Sequence, residues 1–145
     1  MSDAIYTTRE DVEALLPQSF LTAALADDPD APETENAAAW ERIVALAARD
    51  VDGRLAQRYR VPFAAPLPAV VSMASLHIVL EMLYQRRGNY EAANPYAASA
   101  KAWRDKLDAI GRGDEPLTYD ATTGETGITI ISDEATGVSR WGLNS

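Results

Sequence analysis

Residues 68–87 read PAVVSMASLHIVLEMLYQRR, and the fold turns on how that stretch is read. It carries the start and stop signals of a helix. Pro68 suits a first helical position, where a missing N–H costs nothing. Arg86 and Arg87 fall in the last turn, where positive charge meets the negative end of the helix dipole, and Gly88 suits the left-handed cap beyond it. What the stretch lacks is a polar face: Val70, Val71, Met73, Leu76, Ile78, Val79, Leu80, Met82 and Leu83 point in every direction around the axis. A helix of that kind belongs inside a core, an interface or a membrane. His77 and Glu81 interrupt the run, which falls short of the roughly 20 apolar residues a membrane span needs. The expected fold is therefore mainly α: a small helical bundle around this central helix, with a neighbouring subunit as a further candidate cover.

Upstream, residues 8–11 are written as a capping box, with Asp11 in place of the usual Glu or Gln. They open a first helix whose apolar stripe is Val12, Leu15 and Leu16, ended by Pro17. Ser19 is the candidate cap of a second short helix through Phe20, Leu21 and Leu25. Residues 26–35, ADDPDAPETE, hold two prolines and five acids and read as an exposed, mobile loop. Asn36 suits the N-cap of a long helix reaching about residue 59, with Trp40, Ile43, Val44, Ala47, Val51 and Leu55 at helical spacing. Gly53 inside it costs about 1 kcal/mol relative to Ala; close packing against the central helix is the first reading and a merely tolerated glycine the second. Asp50, Arg54 and Arg58 follow at four-residue spacing, as a surface ladder of ion pairs or with one of the two arginines meeting Glu81. Residues 60–67, RVPFAAPL, form a stiff connector with Phe63 turned into the core. Asn94 and Pro95 open a last helix to about Ile110, with Tyr96, Ala100, Trp103, Leu107 and Ile110 on its inner face; Gly111 and Gly113 stop it.

The composition then changes, dividing the chain into a helical domain, residues 1–113, and an extended or β tail, residues 114–145, for docking on a partner or neighbouring subunit. Residues 116–120 and 127–132 read as a hairpin around the turn ATTGE. A lone hairpin is marginal in water, so the tail is expected to dock on its own core, pair with another chain or order on a partner. Leu117, Tyr119, Ile128 and Ile130 are its candidate interface residues, and Trp141, flanked by polar residues and glycine, its candidate anchor.

Composition excludes several functions. There is no cysteine, hence no disulfide, thiolate nucleophile or cysteine metal site. The N-terminus shows no basic-then-apolar leader, so synthesis in the cytoplasm is expected. The net charge of −9 is uneven: residues 1–35 carry nine acids against Arg9, residues 36–113 eleven bases against seven acids, and residues 114–145 six acids against Arg140. A mildly basic middle between acidic ends argues against a general nucleic-acid binder and suits complementarity between subunits. His77 is the sole histidine. It stands four residues before Glu81, as a base and its orienter would, but a buried histidine hydrogen-bonded to Glu81 is the simpler reading. Asp50 and Asp52 point different ways on a helix, Gly111-Arg112-Gly113 follows no strand, and the acidic loop lacks a calcium-loop pattern. No catalytic, cofactor or metal residue is assigned. Trp40, Val51, Leu55, His77, Glu81 and Trp103 are assigned to the core.

Three stretches together resemble the small head–tail connector proteins of Mu-like phages: IYTTRED at 5–11, AARDVDGRLAQRYRVP at 47–62, and the proline-started apolar helix ending LYQRR at 83–87. Their order covers residues 4–112; the tail matches no motif. The resemblance implies a non-enzymatic adaptor or head-completion protein of the virion neck, made in the host cytoplasm. Its implied partners are the portal protein, neighbouring copies in a ring (typically a dodecamer) and a downstream stopper or tail-completion protein. Genomic DNA would pass through the channel without specific binding, and no membrane is involved. Two other classes compete: a small helical DNA-binding or regulatory protein, and an enzyme subunit whose site a partner completes.

Overall fold

The computed structural model describes residues 5–117, and residues 5–67 with 71–116 form one compact unit. Its α-helices are α1 (Arg9–Glu13), α2 (Gln18–Leu25), α3 (Ala37–Leu55), α4 (Ala69–Arg86) and α5 (Ala97–Arg112), with a 3-10 turn, Glu91–Ala93, before the last. No β-strand occurs among the described residues. The hairpin expected in the tail, with Tyr119, Ile128, Ile130 and Trp141, lies outside them.

The central helix forms as expected, with Pro68 standing just before it. Its end is built by Gly88 at φ 85°. The Asn89 N–H reaches back to the Tyr84 carbonyl and that of Gly88 to Gln85, satisfying carbonyls that the helix leaves without partners. Val71, Ala74, Ile78, Val79, Leu80 and Leu83 are fully enclosed, and of the helix's apolar residues only Met73 is exposed. On α3, Ala39, Ala47, Val51 and Leu55 are shut off from solvent, as are Ala100, Leu107 and Ile110 on α5.

Ion pairs fix the helix directions. Asp50 meets Arg104 and Arg54 meets Asp108, so the pairing advances in the same sense on both helices and α3 runs parallel to α5. Arg86, at the end of α4, reaches Asp27 and the Ala24 carbonyl, beside the start of α3, so α4 runs the opposite way.

Several local expectations are corrected. Leu15 is exposed, because α1 ends at Glu13 and the chain has left helical register before the stripe is complete. Pro17, not Ser19, holds the N-cap position of α2, and no side chain caps it. The long helix stops at Leu55, short of residue 59. Asn94 is not the cap of α5: it is buried, donating to the Glu81 carbonyl and accepting from the Tyr96 N–H, and the helix starts three residues later. Gly53 has open space around it, and the close-packed glycine is Gly111, which α5 carries through to a stop at Gly113. The acidic loop is exposed over most of its length, but both ends are fastened: Asp27 by Arg86 and Asn36, and Glu35 by Arg9 and Thr22.

Candidate interaction surface and the ion-pair lock

The polar chemistry of the unit gathers between α3, α4 and α5. Asp50 accepts from Nε of Arg54 and Nε of Arg104, each at 2.8 Å. Arg54 also grips both oxygens of Asp108, at 2.9 and 2.8 Å, and Arg104 extends Nη1 to Glu81 at 2.8 Å. Five charged side chains thus lock three helices. Burial disfavours the charge on both guanidiniums, but the carboxylate hydrogen bonds outweigh it and raise the pKa of Arg54 and of Arg104. Neither Arg54 nor Arg58 meets Glu81. Its partner is Arg104, a residue the sequence reading passed over. A signal for it was present: Asp50 and Arg54 on α3, and Arg104 and Asp108 on α5, stand at the same four-residue spacing in opposite order of sign.

His77 is not held by Glu81 either, since Arg104 already occupies that carboxylate. Its Nδ1 lies 2.9 Å from Oγ of Ser99. The Ser99 hydroxyl stands 3.2 Å from the Tyr96 carbonyl; if its proton goes there, Nδ1 must carry the imidazole proton and donate. Burial holds the His77 pKa below its usual value. His77 packs between Tyr96 and Trp103, with ring centres 6.0 and 6.1 Å away. The row continues through Tyr84 to Phe20, over which the Arg87 guanidinium sits at 5.3 Å. All five rings are half-buried.

Of the residues assigned to the core, Val51 and Leu55 are fully enclosed, Glu81 is buried, and Trp40, His77 and Trp103 are half-buried. Trp40 lies under the Arg9 guanidinium at 5.4 Å. Phe63 is half-buried, edge-on to Tyr6 at 6.2 Å, and its N–H donates to the Tyr6 hydroxyl, which donates to Asp52. Burial raises the Asp52 pKa, although the Tyr6 hydrogen bond works against the rise. Leu117 is half-exposed at the edge of the described residues.

Among the described residues no group of three or more His, Asp or Glu could hold a metal ion, and no helix is long and apolar enough to cross a membrane. An open depression runs along the outer face of α3, lined by Ala38, Glu41, Arg42, Ala45, Leu46 and Arg49, with Leu46 47% exposed.

These features define a class, a small helical bundle whose interior polar groups fasten helices to one another. The comparison with known families is more specific. A family model described as Bacteriophage Mu, Gp36 matches residues 6–128. The chain belongs to that family and is a Mu-like phage protein. The match runs beyond the motifs at 4–112 and takes in Leu117, Tyr119 and Ile128, while Ile130 and Trp141 fall after it. No curated protein and no solved structure matches the chain.

Proposed function

We propose that this chain is a structural, non-enzymatic adaptor of the phage neck. In this reading it forms a ring beneath the portal, extends the DNA channel and offers the surface on which a stopper or tail-completion protein docks. The observation that carries the reading is membership of a Mu phage family across 6–128, joined to the order of connector-like motifs in the same span. The physical features are compatible with it. The polar interior is occupied with holding helices together, and acidic ends suit a channel that must not grip passing phosphates, since a basic lining would bind them. Residues 114–145 would then contact the portal or an adjacent copy, by strand addition for which backbone hydrogen bonds supply much of the affinity.

The decisive experiment is electron microscopy of particles made by a phage lacking this gene. Heads accumulating apart from finished tails are the expected result. Normal tailed virions would refute the reading and return attention to a small regulator. For the tail, hydrogen exchange on the free protein and on the assembled neck should show added protection over 114–145, and equal protection in both states would remove that contact.

A further inference from the structure

Charge on the described unit is separated end to end. Before the start of α3, Glu10, Asp11 and Glu13 on α1 and Asp27, Asp28, Asp30 and Glu33 in the loop are exposed. Arg9 ties the two groups into one surface, gripping both oxygens of Glu35 at 2.9 Å and reaching Glu13 at 3.3 Å. Glu10, Asp11, Asp28, Asp30 and Glu33 make no ion pair among the described residues.

The other end of α3 is basic. There the last turns of α3 and α5 converge: the Gly111 backbone meets the Arg54 carbonyl, and the Arg58 guanidinium lies over Gly113. Arg58 and Arg60 are exposed and make no ion pair among the described residues. The acids nearby are already engaged, Asp114 by Arg112 and Glu115 by Lys106. The 19 residues of α3 place the two ends about 28 Å apart, several times the roughly 8 Å over which salt screens charge, so they do not neutralise each other within one molecule. Compensation of the helix dipole accounts for Arg54 and Arg58 in and just beyond the last turn of α3, but its effect falls off within a turn. Arg60 lies beyond that reach, and Asp30 and Glu33 lie in a loop.

We infer that these ends are the two halves of one contact: the acidic end of one copy docks on the basic end of the next. A second copy is the occupant because a single chain carries both signs at opposite ends; an antiparallel two-fold pair would also set unlike charge against unlike but closes at a dimer, and the ring of the adaptor reading selects the head-to-tail arrangement. A two-fold contact through either end would set like on like. Head-to-tail contacts are heterologous and generate rings or filaments according to the rotation between copies. The inference rests on the adaptor reading for ring closure and names the surfaces through which the copies meet.

The test is sedimentation velocity of the full chain at about 20 mM and about 500 mM salt. The expected result is concentration-dependent association at low salt that weakens about tenfold or more at high salt. Asp28→Lys, Asp30→Lys and Glu33→Lys together reverse one end, taking its five unpaired acids from −5 to +1, and Arg58→Glu with Arg60→Glu reverses the other; Arg60→Glu alone spares the packing of Arg58 over Gly113. With thermal melts matching wild type, each reversed variant should stay monomeric, and an equimolar mixture of the triple and the double variant should associate again in alternation. A wild type monomeric at low salt, a reversed variant that associates like wild type, or a mixture that stays monomeric would each overturn the contact. None of these outcomes bears on the gene-deletion phenotype, so the adaptor reading stands or falls separately.

Discussion

Gly53 and Gly111 offer the same one-methyl perturbation in opposite surroundings. Both lie within helices, Gly53 in α3 and Gly111 in α5. A Cβ on Gly53 meets nothing within 4 Å, whereas on Gly111 it would lie 2.1 Å from the Arg54 carbonyl oxygen and 3.3 Å from that carbonyl's carbon. Even the closest favourable carbon–oxygen contacts lie at about 3.3 Å, so the site is short by more than 1 Å. The obstruction is backbone, and no rotamer change relieves it. α5 must move off α3, which stretches the Arg104–Asp50 and Arg54–Asp108 bonds, both 2.8 Å, and loosens Leu107 and Ile110, both fully enclosed. Overpacking of this kind costs about 1–3 kcal/mol, and weakening charge-assisted hydrogen bonds adds about 1–2 kcal/mol. Gly111→Ala is therefore expected to destabilise by about 3 kcal/mol, a fall of roughly 10 °C in Tm. Gly53→Ala should stabilise by about 0.5–1 kcal/mol through helix propensity alone. Urea unfolding followed by far-ultraviolet circular dichroism measures both, and an unchanged m-value confirms that stability itself has moved. A gap between the two variants below about 1 kcal/mol, or a reversed order, would refute the packing of α5 on α3 described above.

Arg104→Ala leaves Asp50 with one partner and Glu81, whose side chain is 11% exposed, with none among the described residues; a loss of about 2–3 kcal/mol is expected by denaturant titration, reduced from a fully buried pair because Arg104 and Asp50 are partly solvated. His77 has its pKa lowered from 6.5 by burial, so its neutral form is favoured in the fold: its contribution to stability is full above pH 6.5, falls as pH drops through the lowered value, and is absent from the stability–pH profile of His77→Gln. Asp52 has the opposite sign: its raised pKa stabilises the fold below 3.8 and that contribution is lost as pH climbs through the raised value. Asp52→Asn, which keeps an acceptor for Tyr6, should match or exceed wild-type stability at pH 7. Trp141→Ala is expected to weaken assembly more than folding, read by ring formation beside a thermal melt; unchanged assembly would remove its anchor role.

The helices were legible because their signals are local. The Gly88 cap, the Asn36 cap and the all-round apolar run at 70–83 each depend on residues within a turn or two, and the structure places them as read. Local signals still misplaced some helix ends, as at Leu15, Ser19 and Asn94, but the misreadings at the ion-pair lock share a different cause, in that each concerned which helix faces which. Glu81 was given to His77 because four-residue spacing is visible in a sequence, while Arg104, twenty-three residues away, is brought there only by the turn after Gly88. A helical glycine signals close approach, but Gly53 and Gly111 look alike until the partner backbone is known, and only Gly111 meets one.

The lock also explains why such a helix arrangement needs charge inside it. Parallel α3 and α5 bring two helix C-termini, and two sets of carbonyls without helical partners, to the same end of the unit. The Arg58 N–H goes to Leu55, so the Arg54 carbonyl receives no N–H from that residue, and the Gly111 backbone packs against it. Arg54, in the last turn of α3, offsets the joined dipoles, and Asp50 and Asp108 hold it, with Arg104, between the helices rather than in solvent. The opposite-sign spacing on the two helices fits this parallel pairing: moving α5 by one residue along α3 would separate Arg104 from Asp50 and Arg54 from Asp108 together. Exchanging the signs on both helices, Asp50→Arg and Arg54→Asp with Arg104→Asp and Asp108→Arg, preserves the α3–α5 pairs while setting a carboxylate, in place of the Arg104 guanidinium, against Glu81. The fourfold variant should consequently be less stable than wild type, and adding Glu81→Gln should recover part of the loss by removing the like-charge contact. If Glu81→Gln recovers nothing in that background, the Arg104–Glu81 bond is not part of what holds α4 to α5.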